Sequence, residues 1–203
     1  MKFFILSQGA QTFALTRISM MKITLVSITV TIALLLEVHA DVLPQKNFDL
    51  KRFAGRWYRV GLAYNSPGFA RHRNKLTICM GVVEPKENGD VMMTVWKTKS
   101  SICQKEVYRY EKTAVPGVFT YFSTRHSRVK DITVVETNYS EFAVIYKHRK
   151  FNREFSQVSL YSRSQKLRPE VIEKFKKYAT QHGFPEESIV IPPPADNCPL
   201  ARH

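Results

Sequence analysis

Three cysteines, Cys79, Cys103 and Cys198, carry the most reactive side chains in the sequence. A thiolate can act as a nucleophile, and a nearby cation such as Arg59 would lower a thiol's pKa towards that form. In an oxidising compartment two of the three pair and one is left over. Composition does not choose the pair. A 103–198 bridge would close a loop of about 95 residues, worth about 4–5 kcal/mol in the chain-entropy model. The remaining thiol has three open roles: nucleophile, redox group, or small buried hydrophobe.

Cations make up the second chemical feature. Arg71, Arg73 and Lys75, then Lys97 and Lys99, then Arg125, Arg128 and Lys130, then Lys147, Arg149, Lys150 and Arg153 fall in four segments, around 64–75, 97–102, 124–130 and 147–154, where Glu154 is the one acid. Charge runs are commonly solvated faces. Segments that converge on one rim would instead steer anions, an effect that salt weakens. An anionic membrane or polysaccharide is a fitting partner for such a rim. Nucleic acid is not expected, because no nucleic-acid-binding motif is present. Asn138-Tyr139-Ser140 is a glycosylation sequon. No cofactor and no metal site is expected.

These residues sit in a chain of 203 with net charge +14, 44% hydrophobic residues, 8 Gly and 10 Pro. That composition excludes collagen-like and low-complexity chains and argues against wholesale disorder. Near the N-terminus, Met21-Lys22 precedes an apolar run over 23–36 and the ending Val38-His39-Ala40. Basic, apolar and small-residue regions in that order read as a secretory signal cut after Ala40. The run falls short of the ~20 residues a spanning helix needs. Residues 1–20 read as an upstream extension, and 41–203 as one secreted, extracellular domain. Removing Lys2, Arg17, Lys22 and Glu37 lowers the net charge from +14 to +12.

From Gly55 onward the pattern predicts eight short strands, at 56–64, 76–83, 91–98, 104–112, 118–123, 131–136, 142–146 and 156–161. They are rich in Val, Ile, Thr, Tyr and Phe, and turn residues such as Asn88-Gly89-Asp90 and Pro116-Gly117 separate them. Such a set suggests a sandwich or an up-and-down barrel, and closure removes the exposed edges. A helix follows, with Pro169 near its start and Gly183 past its end. Val171, Ile172, Phe175, Tyr178 and Ala179 give it one apolar stripe, fit for docking on the outside of a barrel. Residues 188–191 could add a ninth strand. The fold class is all-β: an eight-stranded antiparallel barrel with one C-terminal α-helix packed outside.

Gly55-x-Trp57 opens the first strand, Thr137-Asn138-Tyr139 lies between the sixth and seventh, and Tyr161-Ser162-Arg163 ends the eighth. In this order and spacing the three motifs resemble the lipocalin family, over essentially all of 41–203. In such a barrel all three fall at one end, where Trp57 plugs the base and Arg163 lies across its ring. Gly55, Trp57, Thr137, Tyr139 and Arg163 are therefore structural. The resemblance implies a disulfide between Cys103 and Cys198, which leaves Cys79 free, and a monomer.

Two branches of the family are similar. Asn65-Ser66, Cys79, Val82-Val83 and Pro85 resemble the prostaglandin-D-synthase type, around its catalytic cysteine. Asn152-Arg153-Glu154-Phe155 and the stretch from Gly183 to Cys198 resemble the neutrophil gelatinase-associated, siderophore-binding type. Arg59, Gly81 and Val95 replace the hydroxyl residues around the synthase cysteine. Tyr108, His148 and Gln157 replace the three cations of the siderophore cup.

An eight-stranded barrel leaves room for one small ligand. Strand alternation, with Cys79 facing in, brings Arg59, Tyr108, Phe119, Tyr121, Tyr146, His148 and Gln157 to the lumen. An apolar, aromatic cup with a few polar groups suits an amphipathic acid such as a fatty acid, retinoid or prostanoid. Arg59 either pairs with its carboxylate or sits near a barrel end against water or Glu136. The reading is transport of such a ligand. One alternative is a prostaglandin-H2 D-isomerase with Cys79 as nucleophile, and another is innate-defence sequestration of a microbial anionic ligand.

Overall fold

The computed structural model describes residues 42–65, 73–99, 102–123, 128–149 and 155–193. The expected signal segment and Cys198 lie outside them, as do Arg71, Arg125, Lys150 and Arg153 of the expected basic rim.

Eight antiparallel strands close into a barrel: β1 (Gly55–Tyr64), β2 (Cys79–Pro85), β3 (Val91–Lys99), β4 (Ile102–Lys112), β5 (Val118–Ser123), β6 (Arg128–Thr137), β7 (Phe142–Arg149) and β8 (Phe155–Ser162). Each pairs with the next in sequence, and β1 closes the ring by pairing with both β8 and β2. The up-and-down barrel predicted from the strand pattern is the fold observed. The second strand starts at Cys79, later than the pattern suggests. Along that edge of β1, the ninth strand β9 (Ile189–Val190) pairs with Leu62 and Ala63 instead. It covers backbone groups that would otherwise form an open edge.

The closed end is built from the short helix α1 (Leu50–Phe53), which the strand pattern did not suggest. Asp49 caps it, accepting from the Lys51 and Arg52 amides at 2.9 and 3.1 Å. Phe53 stacks on Trp57 with ring centroids 5.0 Å apart, and Trp57 Nε1 donates to the Phe53 carbonyl at 2.8 Å. Trp57 is 1% exposed. The Arg163 guanidinium lies 3.8 Å from the centre of its ring and donates to the carbonyls of Tyr139, Arg56 and Arg52. Gly55 has φ +94°, and a Cβ there would touch Arg163. Thr137 Oγ1 donates to the Phe142 carbonyl at 2.8 Å and holds the turn between β6 and β7. One arginine thus ties together the α1 end, the start of β1 and the β6–β7 turn.

Outside the barrel, α2 (Pro169–Gln181) buries Val171, Phe175 and Ala179 against Val60, Val144, Val158 and Leu160. Pro169 starts it, and Gly183, at φ +78°, follows its end. Beneath this helix β7 carries apolar side chains on both faces, Ala143 and Ile145 inside and Phe142 and Val144 outside. Inside, Trp57, Val83, Met93, Phe119, Ile132, Val134 and Ile145 form the core of the closed half.

Candidate functional site

Above that core the barrel opens into a cavity of about 240 Å³. Its wall alternates by strand register. Arg59 on β1 pairs with Cys79 on β2 and with Tyr161 on β8, so all three point inward. A bulge between Arg59 and Gly61 then turns Val60 and Gly61 outward beneath α2. Without it, Arg59 and the helix-facing residues of β1 could not both be placed.

Arg59 Nη2 donates to Cys79 Sγ at 3.2 Å. Its Nε is buried and has no hydrogen-bond partner among the described residues. Burial opposes the charge, yet Cys79, Tyr161 and Tyr64 around it outweigh burial and hold the guanidinium above its ordinary pKa. Arg59 therefore presents a permanent cation inside the cup, not at a barrel end. Glu136, the other partner expected for it, binds Lys174 of α2 instead.

Three tyrosines line the opposite wall. Tyr108, Tyr110 and Tyr121 meet with centroid separations of 5.3 to 6.3 Å. Burial pushes the Tyr110 hydroxyl up, although Lys147 pulls it down. Burial and the hydrogen bond to Glu106 push Tyr108 up. Tyr108 and Tyr110 are therefore neutral at physiological pH. Lys97 forms an ion pair with Glu106 at 2.6 Å. Lys130 and Lys147 complete the cationic part of the wall, and Gln157 the polar part. A narrower apolar pocket of about 40 Å³ shares Met93, Tyr110, Ile132 and Lys147 with the cup and runs down to Phe119, Phe53 and Trp57.

Arg59, Cys79, Tyr108, Tyr121 and Gln157 thus come together as the sequence suggested, with Phe119 one layer deeper. Gly81 and Val95, the other positions of the missing hydroxyls, lie in the same wall. Tyr146 and His148 do not face the lumen. On β7 the inward set is Ala143, Ile145 and Lys147. Tyr146 packs on Phe184 behind the barrel and donates to Ser156 Oγ at 2.8 Å, and His148 lies 3.3 Å from the same hydroxyl. Because α2 covers the outer face of β7, both faces of that strand are apolar and its alternation carries no signal. Tyr110, Lys130, Lys147 and Tyr161 were missed. Tyr110 was accessible by simple alternation, two residues after Tyr108.

The model of the Lipocalin / cytosolic fatty-acid binding protein family matches residues 54–196. The chain belongs to the lipocalin family. Among this lipocalin's relatives is a prostaglandin-H2 D-isomerase of Equus caballus, 35% identical over 170 residues that span 80% of this chain and 88% of that protein. A lipocalin of Rhinella marina is 34% identical over 162 residues, spanning 79% and 88%. Among solved structures, the siderocalin Ex-FABP, described as functioning through dual ligand specificities, superposes with a TM-score of 0.62 at 28% identity, covering 71% of this chain and 97% of that one. The family binds small hydrophobic ligands, which agrees with the aromatic wall of the cup and the apolar pocket beneath it.

Proposed function

We propose that this lipocalin carries a small amphipathic acid, with its carboxylate at Arg59 and its apolar part against the tyrosines and the deeper pocket. One observation carries the reading: a guanidinium inside the cup whose buried Nε lacks a partner among the described residues. A buried donor left unsatisfied costs about 1–3 kcal/mol, and a carboxylate would satisfy it. Lys147 and Lys130 add positive charge on the same wall, and fatty acids, retinoids and prostanoids all have the required shape.

Secretion goes with this reading, with cleavage after Ala40 and 41–203 as the mature monomer. So does a Cys103–Cys198 bridge, in keeping with the free state of Cys79. Asn138 of the sequon is solvent-exposed, which suits glycosylation. Native mass spectrometry of protein purified from its own source fluid tests the reading. A released small acid is expected; a neutral ligand or a large polar one would overturn it.

A second reading has a specific observation behind it. Cys79 is a free thiol in direct contact with a guanidinium, in a chain similar to prostaglandin-H2 D-isomerases. Under it, the Cys79 thiolate attacks an endoperoxide oxygen and forms an S–O bond as the O–O bond breaks. The freed oxygen takes a proton, and loss of the proton on the other oxygen's carbon makes the ketone and returns the thiolate. Against it, Arg59, Gly81 and Val95 offer no hydroxyl to assist. Sequestration of a microbial anion rests on the cup's cations and on the likeness to a siderocalin.

A further inference from the structure

The barrel wall is not equally closed all round. Among the described residues β3 and β4 are joined over nine residue pairs and β7 and β8 over eight, but β4 and β5 are joined by Glu111–Thr120 and Lys112–Phe119 alone. Continuing that register would set Tyr110 opposite Tyr121 and Arg109 opposite Phe122, and neither pair is made. Side chains span the seam where the ladder stops. Tyr121 meets Tyr108 and Tyr110 edge-on, at 5.3 and 5.9 Å between ring centroids. Ring contacts of this kind are worth about 0.5–1.5 kcal/mol each. Opening the wall here breaks no ladder hydrogen bond, so only side-chain contacts hold the seam shut.

The outer lip of the seam is apolar. Phe122 is 54% exposed and Val107 53%, and Val129 pairs with Phe122 across β5–β6 with its side chain also exposed. Large apolar side chains are thus exposed on the outside at the place where the inside is aromatic. The cup itself measures about 240 Å³, below the ~300 Å³ at which small-molecule sites commonly begin. A long acid with its head at Arg59 needs further space for its tail.

We propose that the β4–β5 seam is a lateral port, through which the acyl tail of a long-chain acid passes between Tyr108, Tyr110 and Tyr121 to lie along Val107 and Phe122. The proposal rests on the acid-carrier reading of the cup. It makes chain length, beyond what the cup encloses, a property read by the seam rather than by the barrel mouth.

The test compares octanoate, short enough for the cup, with oleate. In the double variant Arg109→Cys/Phe122→Cys, both positions face outward across the seam, and a disulfide between them, verified by peptide mapping, would clamp it. The clamped protein is expected to bind oleate at least about tenfold more weakly than the same variant after reduction, equivalent to about 1.4 kcal/mol. Octanoate should bind both forms alike, and wild type with and without reductant serves as control. Should the clamp fail to form, Val107→Ser/Phe122→Ser, confined to exposed positions, is expected to weaken oleate while sparing octanoate. Equal oleate binding by clamped and reduced protein, or equal loss of both acids, overturns the port. Octanoate binding that survives either result keeps the acid-carrier reading. A wild type that binds neither acid overturns that reading, and the port with it.

Discussion

Arg59 and Cys79 face each other across the β1–β2 ladder, and Arg59 Nη2 donates to the Cys79 sulfur at 3.2 Å. One pair of residues thus underlies both functional readings: a cation able to hold a carboxylate, and a thiol placed to attack whatever that carboxylate positions. Substitution separates them.

Cys79→Ala removes the nucleophile and leaves Arg59 in place. The carrier reading expects wild type and variant to form equally little prostaglandin D2 from prostaglandin H2, with fatty-acid binding nearly unchanged. Product formed by wild type and lost in the variant would install the isomerase reading instead. The measurement is a single-turnover assay beside a binding isotherm.

Arg163→Ala should destabilise the fold without touching the cup. The guanidinium contributes hydrogen bonds to three carbonyls and a cation–π contact of about 0.5–2 kcal/mol over Trp57. A total loss of about 2–4 kcal/mol is expected in urea unfolding. Lysine should rescue little, because an ammonium does not reproduce the planar fork.

Asp90 gives the fold a sensitivity to acid. Its carboxylate accepts from the Lys112 amide at 3.0 Å, from Arg109 Nη2 at 2.9 Å and from Asn88 Nδ2 at 2.9 Å, which holds its pKa below the ordinary value. A depressed folded pKa means that the contribution is complete above the unfolded value, about 3.9, and is lost as pH falls through the folded one. Asp90→Asn should lower the urea midpoint near neutrality and flatten its decline below about pH 4. Glu141, held low by Arg168, should retain its own share of that decline.

The fold was more legible than the site, for physical reasons. Gly55, Trp57, Thr137, Tyr139 and Arg163 do work that few other residue types can do at those spacings, so the closed end shows in the sequence. Asp49, an N-cap residue ahead of Leu50–Phe53, was the one signal for α1, and four residues give no periodicity to read. The lumen depends on strand parity. That parity is clear in β2, where Cys79, Gly81 and Val83 face in, and lost in β7, where α2 makes the outer face apolar too. Lys130 and Lys147 were grouped with the rim because charge in a sequence does not reveal depth in a barrel.

The cations expected at the rim should act on rate. Reversing Arg125, Arg128, Arg149 and Lys150 to Glu is expected to slow association of an acidic ligand, mainly in kon, with a gap that narrows as salt rises. Stopped-flow kinetics over a salt series checks this. Rates that ignore both salt and charge reversal, for acidic ligands, anionic vesicles and heparin alike, would leave the rim a solvated surface.

The central claim is that Arg59 selects an acid head group inside the cup. The direct measurement is a set of four binding isotherms: a fatty acid and its alcohol analogue, each with wild type and with Arg59→Met. A charge-assisted hydrogen bond of about 1.5–3 kcal/mol predicts a loss of about ten- to a hundredfold for the acid with the variant, and little change for the alcohol. Equal losses for acid and alcohol, or no loss for either, would contradict the account.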